Sequence, residues 1–386
     1  MSGQGRTIVT DDSRSRPQAP VPVEVAVVGS GQAGLSAAYF LGRAGFEPGP
    51  GFVVLDADAA PGGAWRHRWP SLRFGAAHRV NPLPGLPLGD VDETAPAARV
   101  VADYFAAYEA RFHLPVRRPV RVTAVRPAAE DRLLVESAAG SWAARAVVSA
   151  TGTWTRPFWP HYPGRERFAG RQLHTADYRG PEELAGRHVV VVGGGNSAVQ
   201  LLAEISAVTT TTWVARREPQ WREGPFDEQA GREAVARVER AVREGRPPAS
   251  VVSVTGLAVT PAVAAARDRG ALARLPMFDR IVPDGVAWDD GRFVPADVIL
   301  WCTGFRAALD HLAPLHLREP GGGIRMVGTR VAREPRLHLI GYGPSASTIG
   351  ANRAGRSAVR EIKELLARPG VPAALPLTAR RPPRVA

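Results

Sequence analysis

Val27-Val28-Gly29-Ser30-Gly31-Gln32-Ala33-Gly34 closes one apolar run and opens a helical pattern. The run covers residues 23–28 and the helical spacing continues over 35–44. In that strand–turn–helix setting a glycine loop brings backbone N–H groups against a pyrophosphate at a helix N-terminus. Gly29 permits the tight turn, Gly31 the close approach of the anion, and Gly34 the packing of helix on strand. Gln32 and Ala33 complete the loop. The next apolar run, 52–55, ends at Asp56, a carboxylate placed to accept hydrogen bonds from ribose hydroxyls.

A second stretch, Val191-Val192-Gly193-Gly194-Gly195-Asn196-Ser197-Ala198, repeats the pattern about one domain later. Gly193, Gly195 and Ala198 take the three small positions, with Asn196 and Ser197 between them. The strand expected over 209–214 runs into Ala215-Arg216-Arg217, with no acid at its tip. An acid there would repel a 2′-phosphate, whereas the Arg216–Arg217 pair would bind it. Two such loops imply two dinucleotides, FAD and NADPH, and hence a flavin oxidoreductase.

The 386 residues suit two domains, and 45% apolar residues provide an ordinary core. The formal charge is +12, carried by arginines spread along the chain, and Lys363 is the only lysine. No run of arginines interleaved with aromatics marks a nucleic-acid face. Cys302 is the only cysteine, so a disulfide within the chain and a CxxC dithiol are excluded, and a zinc site is not expected. No apolar run has the length of a membrane span, and residues 1–20 lack a hydrophobic signal region, so the expected location is the cytoplasm.

The expected fold class is α/β with two Rossmann-like dinucleotide-binding domains, the FAD domain being split by an inserted NADPH domain. Residues 1–20 and 371–386 read as disordered ends. Residues 21–156 form the first part of the FAD domain, with a helix over 99–112 and strands over 120–125, 133–137 and 142–148. The Pro- and aromatic-rich crossing 157–163 begins the NADPH domain, which extends to 290. It has a charged helix over 228–245 and strands over 251–254 and 281–286. Residues 291–370 return to the FAD domain with runs over 296–301 and 337–340 and a closing helix over 348–366.

The segment Phe168-Ala169-Gly170-Arg171-Gln172-Leu173-His174-Thr175-Ala176-Asp177-Tyr178 stands just upstream of the second glycine loop. It matches the FxGxxxHxxxY signature of the class B flavin-dependent monooxygenases. The chain resembles that family from about residue 23 to 366. Gly62-Gly63-Ala64-Trp65 resembles its GGxW segment, Ser149-Ala150-Thr151-Gly152 its first linker, and Trp301-Cys302-Thr303-Gly304-Phe305 its second. The resemblance implies flavin contacts at Gly63, Ala64, Trp65, Thr151, Gly152, Thr303 and Gly304. It implies NADPH- and O2-dependent oxygenation of a small amine, sulfur or carbonyl compound through a flavin C4a-hydroperoxide. Tyr178 at the end of the signature favours heteroatom oxygenation over Baeyer–Villiger chemistry. Gly341-Tyr342-Gly343 departs from the GD-type motif of related flavoproteins.

Three side chains are candidates for catalysis. Asn81 in Arg79-Val80-Asn81-Pro82 could bond an oxygenated flavin, His78 could face the substrate, and His174 could orient the nicotinamide nucleotide. Thr348, after Ser347, begins a helix whose N-terminus could face the flavin ring. Two other functions stay open on the residues alone: an NADPH-dependent reductase without oxygenation, and a non-catalytic nucleotide-binding redox sensor. A homodimer is equally open, and the loops 65–95 and 218–250 are expected to line the substrate.

Overall fold

The computed structural model describes residues 19–77, 80–222, 228–248 and 256–367. Val21–Val28 (β1), Gln32–Arg43 (α1) and Phe52–Leu55 (β2) form the first strand–helix–strand unit. Ala97–Arg111 (α2), Val116–Arg117 (β3), Val122–Pro127 (β4), Leu133–Ser137 (β5) and Gly140–Ser149 (β6) follow. All four residues of β2 are buried, as expected of a parallel strand covered on both faces.

The chain then builds a second sheet. Its strands are Arg171–His174 (β7), Val189–Val192 (β8), Thr211–Val214 (β9), Arg274–Leu275 (β12) and Val298–Trp301 (β16). Around them lie Asn196–Ile205 (α3), Trp221–Arg222 (β10), Glu228–Arg243 (α4), Leu257–Ala258 (β11) and Pro261–Asp268 (α5). Arg280–Val282 (β13), Gly285–Ala287 (β14) and Phe293–Pro295 (β15) make a separate antiparallel sheet. The expected single strand over 281–286 is thus a hairpin, because Pro283-Asp284 turns the chain between β13 and β14. The strand expected over 251–254 lies outside the described residues.

Met326–Val327 (β17), Arg330–Val331 (β18), Glu334–Leu339 (β19) and Thr348–Leu366 (α6) are the last elements of the described residues. The first sheet runs β17-β18-β19-β6-β1-β2-β3, with β5 joined to β6 and β4 to β5. β6 has three strand partners. It pairs antiparallel with β5 and parallel with β1 and β19. The second sheet, β12-β9-β8-β16-β7, is parallel throughout.

The expected return to the first domain at residue 291 is corrected by β16. Val298 to Trp301 pair with both β7 and β8, so the chain stays in the second sheet until Trp301. Return begins only at Cys302. On the first sheet, α1 and α6 cross at small residues: a side chain on Gly355 would press on Ser36 and Ala37. This draws the N-termini of both helices toward the glycine loop.

Two buried histidines make the packing acid-sensitive. His338 is fully buried with Nδ1 2.8 Å from the Thr329 hydroxyl, and burial pushes its pKa down to about 3. His311 sits 3.1 Å from the Ser149 hydroxyl, and burial pushes it down to about 4. Below the ordinary value of 6.5 the unfolded chain takes up these protons and the folded chain does not. Stability should therefore fall as pH drops from 6.5 toward 4, by about 1.4 kcal/mol per pH unit for each group. Thermal denaturation at stepped pH measures this, and a flat profile across that window would count against it.

Candidate functional site

The two glycine loops are built alike. Gly29 N–H donates to the Leu55 carbonyl at 2.8 Å, and Gly193 N–H to the Val214 carbonyl at 2.9 Å. Gly29 has φ +98° and Gly193 φ +147°. A side chain on Gly29 would strike the Ala150 carbonyl, and one on Gly193 the Cys302 carbonyl. Ala150 and Cys302 are the residues at which the chain leaves each sheet. Gly34 packs directly on Gly29, and Ala198 is buried in the equivalent place.

Gly31 and Gly195 differ from their neighbours. Nothing lies within 4 Å of where a side chain would start at either one. This open space in front of a helix N-terminus is what a pyrophosphate requires. Gln32 adds a buried Oε1 without a partner, while its Nε2 donates to the Asn81 carbonyl (3.1 Å) and to Asn352 Oδ1 (2.9 Å). The first loop therefore fits a dinucleotide: its cradle is open and it holds an unanswered polar atom. Gly63 lies against Gly31, so Gly63-Ala64-Trp65 forms one wall.

Asp56 is buried beside this loop. Its Oδ2 accepts from the Ser30 N–H at 2.5 Å and the Ser30 hydroxyl at 2.6 Å, and its Oδ1 accepts from the Asp58 N–H at 2.8 Å. Arg118 donates to Ser30 Oγ at 2.5 Å and is paired with Glu109 through two bonds of 2.6 and 2.7 Å. Ser30 stands inside the first glycine loop but was not singled out, and Glu109 and Arg118 carry no motif.

Asn81 and Thr348 come together. Asn81 Nδ2 donates to Thr348 Oγ1 at 2.8 Å, and the Ser347 hydroxyl caps α6 by accepting from the Gly350 N–H. Asn352, one turn further along α6, donates to the Pro82 carbonyl. Two tyrosines of α2 hold the same loop from behind: Tyr104 OH donates to Leu86 O and Tyr108 OH to Pro84 O, both at 2.7 Å. α2 buries Val101 beside Tyr104 and Phe105. His78 lies outside the described residues.

His174 is held by backbone at both ring nitrogens. It is fully buried; Nδ1 accepts the Ala176 N–H at 3.1 Å and Nε2 faces the Gly304 carbonyl at 3.0 Å. These contacts assign a neutral ring with the proton on Nε2, and burial lowers its pKa. With both nitrogens held by backbone, the ring fastens β7 to the returning linker. Thr303 and Thr151 are fasteners too, donating to the Phe158 carbonyl (2.5 Å) and the Ala308 carbonyl (2.7 Å). Gly152 and Gly304 take positive φ, +62° and +77°, where these linkers turn. Phe158 N–H donates to Gly304 O and Arg306 N–H to Arg156 O. The two linkers thereby form a short antiparallel ribbon between the sheets.

Tyr178 anchors the other side of this junction. Its ring meets Trp69 edge-on at 6.2 Å, and Trp69 and Leu72 pack into the second sheet's core. Burial, with Glu204 next to it, pushes the Tyr178 hydroxyl up, and burial likewise raises Glu204. α4 reaches back across the junction, where Val238 and Val242 pack on Gly343. Arg216 and Arg217 are exposed at the end of β9. The nearby Glu218 carboxylate is paired with Arg274. Asn196 and Ser197 begin α3 in front of these arginines.

Among the described residues there is no cluster of His, Cys, Asp and Glu that could hold a metal ion, and no helix long and apolar enough to cross a membrane.

Residues 26–245 match the family model for pyridine nucleotide-disulphide oxidoreductase. The chain is similar to a flavin-containing monooxygenase from Stenotrophomonas maltophilia, at 40% identity and TM-score 0.77, covering 90% of this chain and 100% of that one. It is 31% identical over 234 residues to a Baeyer-Villiger monooxygenase of Streptomyces coelicolor, covering 58% of this chain and 43% of the relative. It is 28% identical over 193 residues to an uncharacterized oxidoreductase, CzcO, of Bacillus velezensis, covering 50% of this chain and 54% of the relative. The chain thus spans about half the length of the curated relatives it matches.

Proposed function

The chain belongs to the pyridine nucleotide-disulphide oxidoreductase family and, within it, to the flavin-dependent monooxygenases; on that footing we propose that it oxygenates a small molecule with NADPH and O2. The observation that carries this reading is the pair of open glycine loops at the two ends of one linker ribbon. In the proposed reaction, substrate, O2, NADPH and a proton give oxygenated substrate, water and NADP+.

Gly29, Gly31, Gln32, Ala33 and Gly34 hold the FAD pyrophosphate, with Asp56 at the ribose. Gly63, Ala64 and Trp65 wall the flavin, and Asn81 and the Thr348 end of α6 face its ring. Gly193, Gly195, Asn196, Ser197 and Ala198 hold NADPH, with Arg216 and Arg217 at its 2′-phosphate. FAD held there would supply the redox chemistry, the transfer of hydride from NADPH and of electrons to oxygen.

The protein's part is positioning and exclusion of water. The ribbon of linkers fixes the distance between the loops, with Thr151, Thr303 and His174 fastening it. Asn81, held by Thr348 and Gln32, keeps a neutral amide at the flavin edge and supplies no acidic proton there. The α2 tyrosines keep the 82–86 loop closed behind it. The setting proposed is the cytoplasm, and the substrate class is a soft nucleophile, amine or sulfur, or a small carbonyl compound. A homodimer is the proposed assembly.

The purified protein should be yellow and should consume NADPH and O2 with methyl phenyl sulfide to give the sulfoxide. Product formed in proportion to NADPH used supports oxygenation. Hydrogen peroxide as the only oxygen product, with every amine, sulfide and ketone tried, would make the chain a reductase instead.

A further inference from the structure

Arg68 is a half-buried cation without a counter-charge among the described residues. Its guanidinium carbon stands 5.7 Å from the centre of the Trp65 ring and 4.9 Å from that of Trp154. Its buried Nε has no hydrogen-bond partner, and burial lowers its pKa. Three arginines with an unanswered buried Nε have a carboxylate to hand: Arg118 has Glu109, Arg274 has Glu218 and Arg330 has Glu361. Among the described residues Arg68 has none. Asp58, on the same loop, is taken by His67 at 2.9 Å.

The position is central. Gly63, five residues earlier, packs on Gly31 in the first glycine loop. Trp154 belongs to the outgoing linker and stacks at 4.9 Å on Phe305 of the returning one. Trp69, the next residue, packs against Tyr178 below the second sheet. A guanidinium lying against indole rings keeps its N–H donors in its own plane, as a fork suited to two oxygens of one anion. Burying such a charge with no anion opposite it is costly.

We propose that Arg68, flanked by Trp65 and Trp154, is an oxyanion-binding site at the junction of the two lobes. Its ligand is the carboxylate of a planar organic acid or the phosphate of a bound nucleotide. The nucleotide source rests on the cofactor reading above; the acid source does not.

The test compares Arg68→Gln and Arg68→Lys with the parent protein, each carrying its flavin. Flavin retained through gel filtration reads FAD binding. Titrations with NADP+, with (phenylthio)acetate and with neutral methyl phenyl sulfide are followed by flavin absorbance and by tryptophan fluorescence. Arg68→Gln should weaken at least one anionic ligand roughly tenfold or more, as expected for a lost charge-assisted bond. Arg68→Lys should recover part of the loss, and the neutral sulfide should bind alike throughout. A loss confined to the acid names a substrate carboxylate, and a loss confined to FAD or NADP+ names a cofactor phosphate. Unchanged binding of all three anions, or an equal loss for the neutral sulfide, overturns the proposal. Should the parent protein hold no flavin, the cofactor reading fails, while the acid titration by tryptophan fluorescence still decides the role of Arg68.

Discussion

Replacing Gly31 by valine is expected to give a folded protein that no longer keeps its flavin. Gly31 has φ −74°, an ordinary backbone for any residue, and no atom lies within 4 Å of its missing side chain. The first side-chain carbon therefore meets nothing in the protein itself. It enters only the space in front of α1, where the pyrophosphate would lie. Crowding of this kind costs about 1–3 kcal/mol, or about tenfold to a hundredfold in FAD affinity. Gly34→Val is the contrasting variant, because a side chain there collides with the Gly29 carbonyl whether or not a cofactor is present. Thermal denaturation of flavin-free protein should therefore show Gly31→Val close to the parent and Gly34→Val well below it. Reconstitution with FAD should show both impaired. If Gly31→Val keeps full FAD affinity, the dinucleotide does not lie on this loop.

The glycine loops could be read in the sequence because their constraints are local. Gly29 and Gly193 need a positive φ within one turn, and Gly34 and Ala198 need to be small against residues a few positions away. Distant pairing was harder to read. Val298, Ile299, Leu300 and Trp301 form an apolar run that suits any buried strand, and only their pairing with Val189 and Arg171 and the residues after them assigns the sheet. His174 stands in the signature Phe168–Tyr178 as a residue that could orient the nicotinamide nucleotide. Its contact with Gly304, 130 positions away, turns it into a fastener. Thr151 and Thr303 stand in the expected linkers, but their hydroxyls serve the opposite linker's carbonyls. Asn352 could have been found, since it follows Thr348 by four residues and so shares its helix face. Arg118 could not, because its partners Ser30 and Glu109 come from two other elements.

The double variant Arg216→Ala, Arg217→Ala should lose its preference for NADPH over NADH. Both arginines are exposed where β9 ends, beside the helix opened by Asn196 and Ser197. A 2′-phosphate there gains charge-assisted bonds that NADH cannot make, each on the order of 1.5–3 kcal/mol. Losing both should lower the NADPH/NADH ratio of kcat/KM for flavin reduction by roughly a hundredfold or more, mainly through the KM for NADPH. Rates with NADH should change little. Arg274 supplies an independent check, because it holds Glu218 beside the pair and its Nη1 donates to the Ala215 carbonyl at 2.8 Å. Arg274→Gln frees the Glu218 carboxylate next to the phosphate position, which should reduce the NADPH preference in the same direction but by less. Adding Glu218→Gln to that variant removes the repulsion and should restore most of the preference. The restoration separates an electrostatic effect on the 2′-phosphate from simple damage to the β9–β12 edge, which a second substitution would not repair. If the double arginine variant keeps the parent's preference for NADPH, the 2′-phosphate is held elsewhere and the reading of the β9 tip is wrong.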